Sequence, residues 1–115
     1  MSDESTLTLP YPPSVNNLYA TFRGRRIVSR EGKAFKLRAD SIARAAGLRL
    51  LDGDISVAVD VYRPRKAGDL DGRLKCVLDC LTGIAWHDDK QITHIEARRF
   101  DDKLNPRVVV RIRAA

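Results

Sequence analysis

Between Ile55 and Tyr62 the chain alternates without a break. Ile55, Val57, Val59 and Val61 fall on one side of an extended backbone, and Ser56, Ala58, Asp60 and Tyr62 on the other. A period of two, with β-branched residues along one side, predicts a strand with one face in a core. A helix would scatter those four apolar residues around its circumference. The strand runs into Arg63-Pro64-Arg65-Lys66 and then into Gly68-Asp69-Leu70-Asp71-Gly72-Arg73-Leu74-Lys75. An acidic cluster is therefore expected where a strand ends and a helix begins.

The flanking segments supply the rest of a sheet. Residues 6–9 alternate, with Leu7 and Leu9 inward, and the prolines at 10, 12 and 13 end that strand. Asn16 and Asn17 read as turn residues. Phe22 to Arg26, with Arg23, Arg25 and Arg26 around Gly24, reads as an exposed basic hairpin. Residues 30–50 are expected to form a long helix whose core face is Phe35, Ala39, Ile42, Ala46 and Leu50, with Ser29 as its N-cap. A second helix is expected over 70–82, with Leu70, Leu74, Val77, Leu78 and Leu81 inward and Gly83 as its stop. Residues 91–100 and 107–113 read as two strands joined as a closing hairpin. The fold class is α+β: a small mixed sheet with two main helices packed on it, in a single domain over residues 1–115.

Length and charge narrow the functions. A chain of 115 residues is long enough for one core. Its formal charge of +6 suits a polyanionic partner, here taken to be nucleic acid. Arg23, Arg25, Arg26, Arg65 and Lys66 are the candidate phosphate contacts. No run of residues is long and apolar enough to span a membrane, and the N-terminus lacks signal-peptide character, so a cytoplasmic protein is expected. Cys76 and Cys80 stand one helical turn apart, too few for a closed zinc site, and read as buried thiols.

The acidic stretch has two readings. Asp69 and Asp71 sit before the helix is committed to one face, so both can point at one hard divalent cation. Lys75, four residues on, would neutralise a phosphate beside it. Asp88 and Asp89, after Trp86-His87, would complete the carboxylates. The plainer reading makes Asp69 a helix cap, Lys75 the partner of Asp71 or Asp79, and the later pair a solvated turn. His87 reads as structural.

At these residues the sequence resembles the RusA family of Holliday junction resolvases. The resemblance rests on Leu9-Pro10-Tyr11-Pro12-Pro13-Ser14 with Asn16-Asn17, on Ser29-Arg30-Glu31-Gly32 with Phe35, and on Asp69-Leu70-Asp71 with Leu74, Lys75, Asp79 and Leu81-Thr82. It ends at Trp86 and Asp88-Asp89. It implies a bacterial or phage-encoded endonuclease, a homodimer that resolves four-way DNA junctions by paired symmetric cuts. The implied cofactor is Mg²⁺, or Mn²⁺ in its place. The implied catalytic residues are Asp69, Asp71, Lys75 and Asp89, the three carboxylates being the metal ligands. Asp88 takes the place of Asp89 if the loop is set differently, because the segment before Trp86 is one residue shorter. Each protomer would carry a complete set. Gly72 stands where the family usually has asparagine, and Gly68 where it usually has a basic residue. A DNA-binding module without catalysis and a nuclease for other branched nucleic acids are the rival expectations.

Overall fold

A computed structural model describes residues 4–13, 19–66 and 70–115 of the chain. Asn16, Asn17, Gly68 and Asp69 lie outside the described residues.

The alternating stretch is β4 (Ile55–Arg63), and it is internal to a four-stranded sheet of order β1-β6-β4-β5. β6 (Arg107–Ala114) lies between β1 (Ser5–Pro10) and β4, antiparallel to both. β5 (Ile92–Asp101) forms the other edge, parallel to β4. One face is wholly apolar at its centre. Leu7, Leu9, Ile55, Val57, Val59, Val61, Val108, Val110 and Ile112 are all at most 1% exposed. Burying each such side chain is worth about 1.5–3 kcal/mol against leaving it in water.

Two helices cover that face. α1 (Arg30–Ala45) packs on β1 and on α2 (Leu70–Leu81), which crosses from β4 to β5. The Ser29 hydroxyl caps α1, accepting from the Gly32 N–H at 3.0 Å. The helix stops earlier than its periodicity suggests. Gly47 adopts φ 72°, and the N–H groups of Gly47 and Leu48 return to the carbonyls of Arg44 and Ala43 at 3.0 Å each. This glycine-terminated pair of bonds satisfies the last carbonyls. Ala46 and Leu50 consequently leave the core face and are exposed, while Ala43 joins Phe35 and Ala39 inside.

α2 also sits rotated from expectation. Cys76, Val77, Cys80 and Leu81 are its buried residues, and Leu70, Leu74 and Leu78 are half-buried. The thiols face inward as free cysteines. A hydrogen bond with Cys80, followed by burial, pushes the Cys76 thiol up.

The expected closing hairpin does not form. β5 and β6 lie on opposite sides of β4, and residues 102–106 cross the end of that strand. Two strand spacings are about 10 Å, within reach of such a link. The crossing is clamped: the Asp102 N–H donates to the Arg63 carbonyl at 2.8 Å. The basic hairpin does form, as β2 (Tyr19–Phe22) and β3 (Arg25–Val28). Its two-residue turn has Arg23 at φ 52° and Gly24 at φ 73°, the paired left-handed geometry that matches strand twist.

The sheet face away from the helices is polar. Asp60, 7% exposed, accepts from Arg98 at 2.9 and 3.0 Å and from Arg111 at 3.5 Å. A buried carboxylate needs such paired donors to offset its desolvation.

Candidate active site

The strand registers define two ends of the sheet. At one end Tyr62 pairs with Arg107, Arg107 with Pro10, and Arg63 with Asp101. Chain segments leave β4 there towards Asp71. At the other end Ile55 pairs with Ala114 and with Ile92.

Asp71 belongs to the first end. It lies in the first turn of α2, exposed, and its carboxylate accepts from the Gly72 N–H at 3.0 Å. Arg73 ties this turn to the segment after β1, donating to the Pro12 carbonyl at 2.6 Å with its guanidinium 4.8 Å from the centre of the Tyr11 ring. Arg65 and Lys66 are exposed in the bend between β4 and α2. Lys75 follows one turn after Asp71 and pairs with Asp79 at 3.3 Å, as the plainer reading had it. Lys75 is exposed and Asp79 half-buried, and solvent-screened pairs of this kind contribute little to stability. The lysine therefore remains available to a stronger anion.

Asp88 and Asp89 belong to the second end. Asp88 caps a single helical turn, Asp89–Gln91, accepting from the Lys90 N–H at 2.9 Å. The Gln91 side-chain oxygen accepts in return from the Asp88 N–H at 2.9 Å and the His87 N–H at 2.7 Å. The Gln91 amide then donates to the carbonyls of Leu51 and Gly53 at 2.8 Å each. These bonds pin the turn beside the start of β4. The Lys90 N–H holds Asp88 below the usual carboxylate range. The Asp89 side chain is exposed and is not the cap. His87 pairs with Asp52 at 2.9 Å, and Trp86 is fully buried with its indole N–H on Thr82 Oγ1 at 3.0 Å.

The two ends are far apart. α2 separates them with twelve residues, about 18 Å of helix. The seven steps from Ile55 to Tyr62 along β4 span about 23 Å. Asp71 and Asp89 of one chain therefore stand at opposite ends of the sheet, whereas the sequence expectation put a complete set in each protomer. Among the described residues no three carboxylate, histidine or cysteine side chains gather as a metal site. Donor chemistry still fits a hard divalent cation: exposed carboxylates stand at both ends, with basic side chains close by at the first.

Three features of the first end escaped the sequence reading. Arg73 stands directly beside the acidic motif, and its position in the first turn of the helix was the available signal. The braces Arg63–Asp101 and Arg107–Asp102 had none, because they depend on β4 lying between β5 and β6.

The site is thus an exposed acidic helix start set among arginines and lysines on a mixed sheet, an arrangement suited to phosphate and a divalent ion. The family described as Endodeoxyribonuclease RusA matches residues 10–113. The chain belongs to that family. The crossover junction endodeoxyribonuclease RusA of Escherichia coli (strain K12) is 37% identical over 93 residues, covering 76% of this chain and 75% of its own. The protein of that name from Shigella sonnei (strain Ss046) is 36% identical over 90 residues, covering 76% and 75%. The one from Enterobacteria phage 82 is 36% identical over 92 residues, covering 75% and 74%.

Proposed function

We propose that this chain is a structure-selective DNA endonuclease that resolves four-way junctions by paired cuts in opposing strands, with Mg²⁺ or Mn²⁺ as cofactor. The observation that carries the reading is the family match, which runs from residue 10 to residue 113 and so takes in all three carboxylates and Lys75. The relatives bear the name crossover junction endodeoxyribonuclease.

The separation of Asp71 from Asp89 favours a homodimer with shared sites. In a two-fold assembly, if a surface of one protomer meets a second surface of its partner, the reverse contact exists as well. Asp69, Asp71 and Lys75 of one chain would then face Asp89 of the partner subunit, and two equivalent sites result. Two sites match the two cuts that a junction needs. Asp69, Asp71 and the partner's Asp89 would hold the divalent ion, which would supply Lewis-acid stabilisation of phosphate charge. Lys75 exchanges its exposed contact with Asp79 for the phosphate and neutralises charge developing there. Arg65 and Lys66 hold the flanking backbone, and the hairpin with Arg23, Arg25 and Arg26 extends the basic surface.

The test is cleavage of a synthetic four-way junction beside a matched linear duplex, with and without Mg²⁺. Symmetric paired cuts in the junction alone, and only with the ion, are the expected result. Tight junction binding with no cleavage in Mg²⁺ or Mn²⁺ would overturn the proposal in favour of a binding module.

A further inference from the structure

Leu104 is 96% exposed, more than any other large hydrophobic side chain described. It stands at the tip of the connection that carries the chain from β5 across the end of β4 to β6. That crossing lies over Arg63, at the end of the sheet where α2 and Asp71 begin.

The tip is held. Asp102 accepts from the Asn105 N–H at 3.1 Å and from Arg107 at 2.8 Å, and its own N–H donates to the Arg63 carbonyl at 2.8 Å. Arg107 also donates to the Asn105 carbonyl at 2.9 Å and lies 3.9 Å from the centre of the Tyr62 ring. Arg63 pairs with Asp101 at the base of the crossing. The acidic residues of the turn thus have arginine partners, and Lys103, next to the leucine, is exposed. The result is an apolar point on a braced turn, beside exposed Lys103 and with the charge of Lys66 acting on Asp101 at its base.

An apolar side chain presented among phosphate-binding cations has a known physical use: it enters between bases and takes over part of their stacking surface. Unstacking is least costly where the stack is already interrupted, as at a branch point. We propose that Leu104 is a wedge that enters the branch point of the DNA and holds it open beside the acidic site. The proposal rests on the junction reading above and adds to it the residue that selects branched over linear DNA. Truncating Leu104 to alanine removes apolar surface that only an interrupted stack would cover. Preference for a junction over linear duplex should fall by about tenfold or more.

The experiment uses the full chain without added divalent ion, so that strands stay intact. A four-way junction carries 2-aminopurine next to the branch point, and a linear duplex carries it at the same sequence position. The wild-type protein should raise junction fluorescence several-fold and leave the duplex unchanged. Leu104→Ala and Leu104→Lys should lose most of that rise and of the junction preference, with duplex affinity intact, and Leu104→Phe should retain both. Equal fluorescence for wild type and Leu104→Ala would overturn the wedge. So would junction binding by the wild type with no rise at all. A changed sedimentation mass for Leu104→Ala would replace the wedge by a contact between copies. Failure of the wild type to prefer the junction at all would instead defeat the underlying reading.

Discussion

Asp71 and Asp89 stand at opposite ends of α2 in one chain, Asp71 in its first turn and Asp89 in the short turn pinned beside the start of β4. This separation is the ground for proposing a site shared between two chains. Mg²⁺ needs few carboxylates when waters complete its coordination, and the proposed shared site would draw them from both ends. In the proposed dimer, two chains related by a two-fold would join the ends twice.

The two aspartates of the later pair should separate by function. Asp88 has the cap and Asp89 does not. Asp88→Ala removes the acceptor of the Lys90 N–H, so its thermal midpoint should drop by roughly a few degrees while cleavage stays within about tenfold of wild type. Asp89→Asn should leave the midpoint unchanged and reduce cleavage by about a hundredfold or more. Melting curves and junction cleavage on the same samples check this. The reverse pattern would make Asp88 the ligand.

Acid should open the crossing that carries Leu104. Arg107, then the Asn105 N–H, holds the Asp102 carboxyl below the usual range, and Arg63 does the same for Asp101. A carboxylate depressed in the folded state stabilises it fully above the unfolded value and loses that contribution as pH falls through the folded value. The turn should therefore stay closed at neutral and mildly acidic pH and loosen only below the ordinary carboxylate range. A carboxyl-carbon NMR titration reads this directly. Arg107→Ala should move the Asp102 midpoint upward. An Asp102 that already titrates in the ordinary range in the wild type would contradict the brace.

Several of these relationships were legible in the residues and several were not. Ile55 to Val61 declared a buried strand because its signal is local and repeats every second residue. Ser29, as an N-cap, declared the start of α1 in the same way. The end of α1 was missed because Leu50 keeps the helical period after Gly47 has already turned the chain. The cap at Asp88 was also written locally, as an acidic residue followed three positions later by glutamine, and it went unread. Pairing of β5 with β4 is different in kind. Residues 92–101 carry no local mark that prefers a parallel neighbour to the nearer β6. The opposite placement of Asp71 and Asp89 follows from that pairing, so it could not be read before the strand order was known.

Junction affinity should depend steeply on salt. Arg65 and Lys66 are exposed next to the acidic turn, and each phosphate they neutralise releases a counterion. Replacing both by alanine should reduce the magnitude of the log affinity against log salt slope by roughly two. The loss should be equal for different junction sequences, since phosphate contacts carry no base information. A slope that is nearly flat in the wild type would remove the basic surface from the account.

The shared site is tested most directly by mixing two inactive proteins. Asp71→Asn and Asp89→Asn are each expected to fail to cut a four-way junction in Mg²⁺. In a dimer of one with the other, a site built across the two-fold pairs both substitutions in one site and leaves the second wholly wild type. Mixing and re-equilibrating the variants should therefore restore strand nicking, at up to one site per mixed dimer, without efficient paired resolution. If every site were built within one chain, both sites of every mixed dimer would carry a substitution. A mixture as inactive as its components, under conditions where sedimentation shows that mixed dimers form, would contradict the shared site.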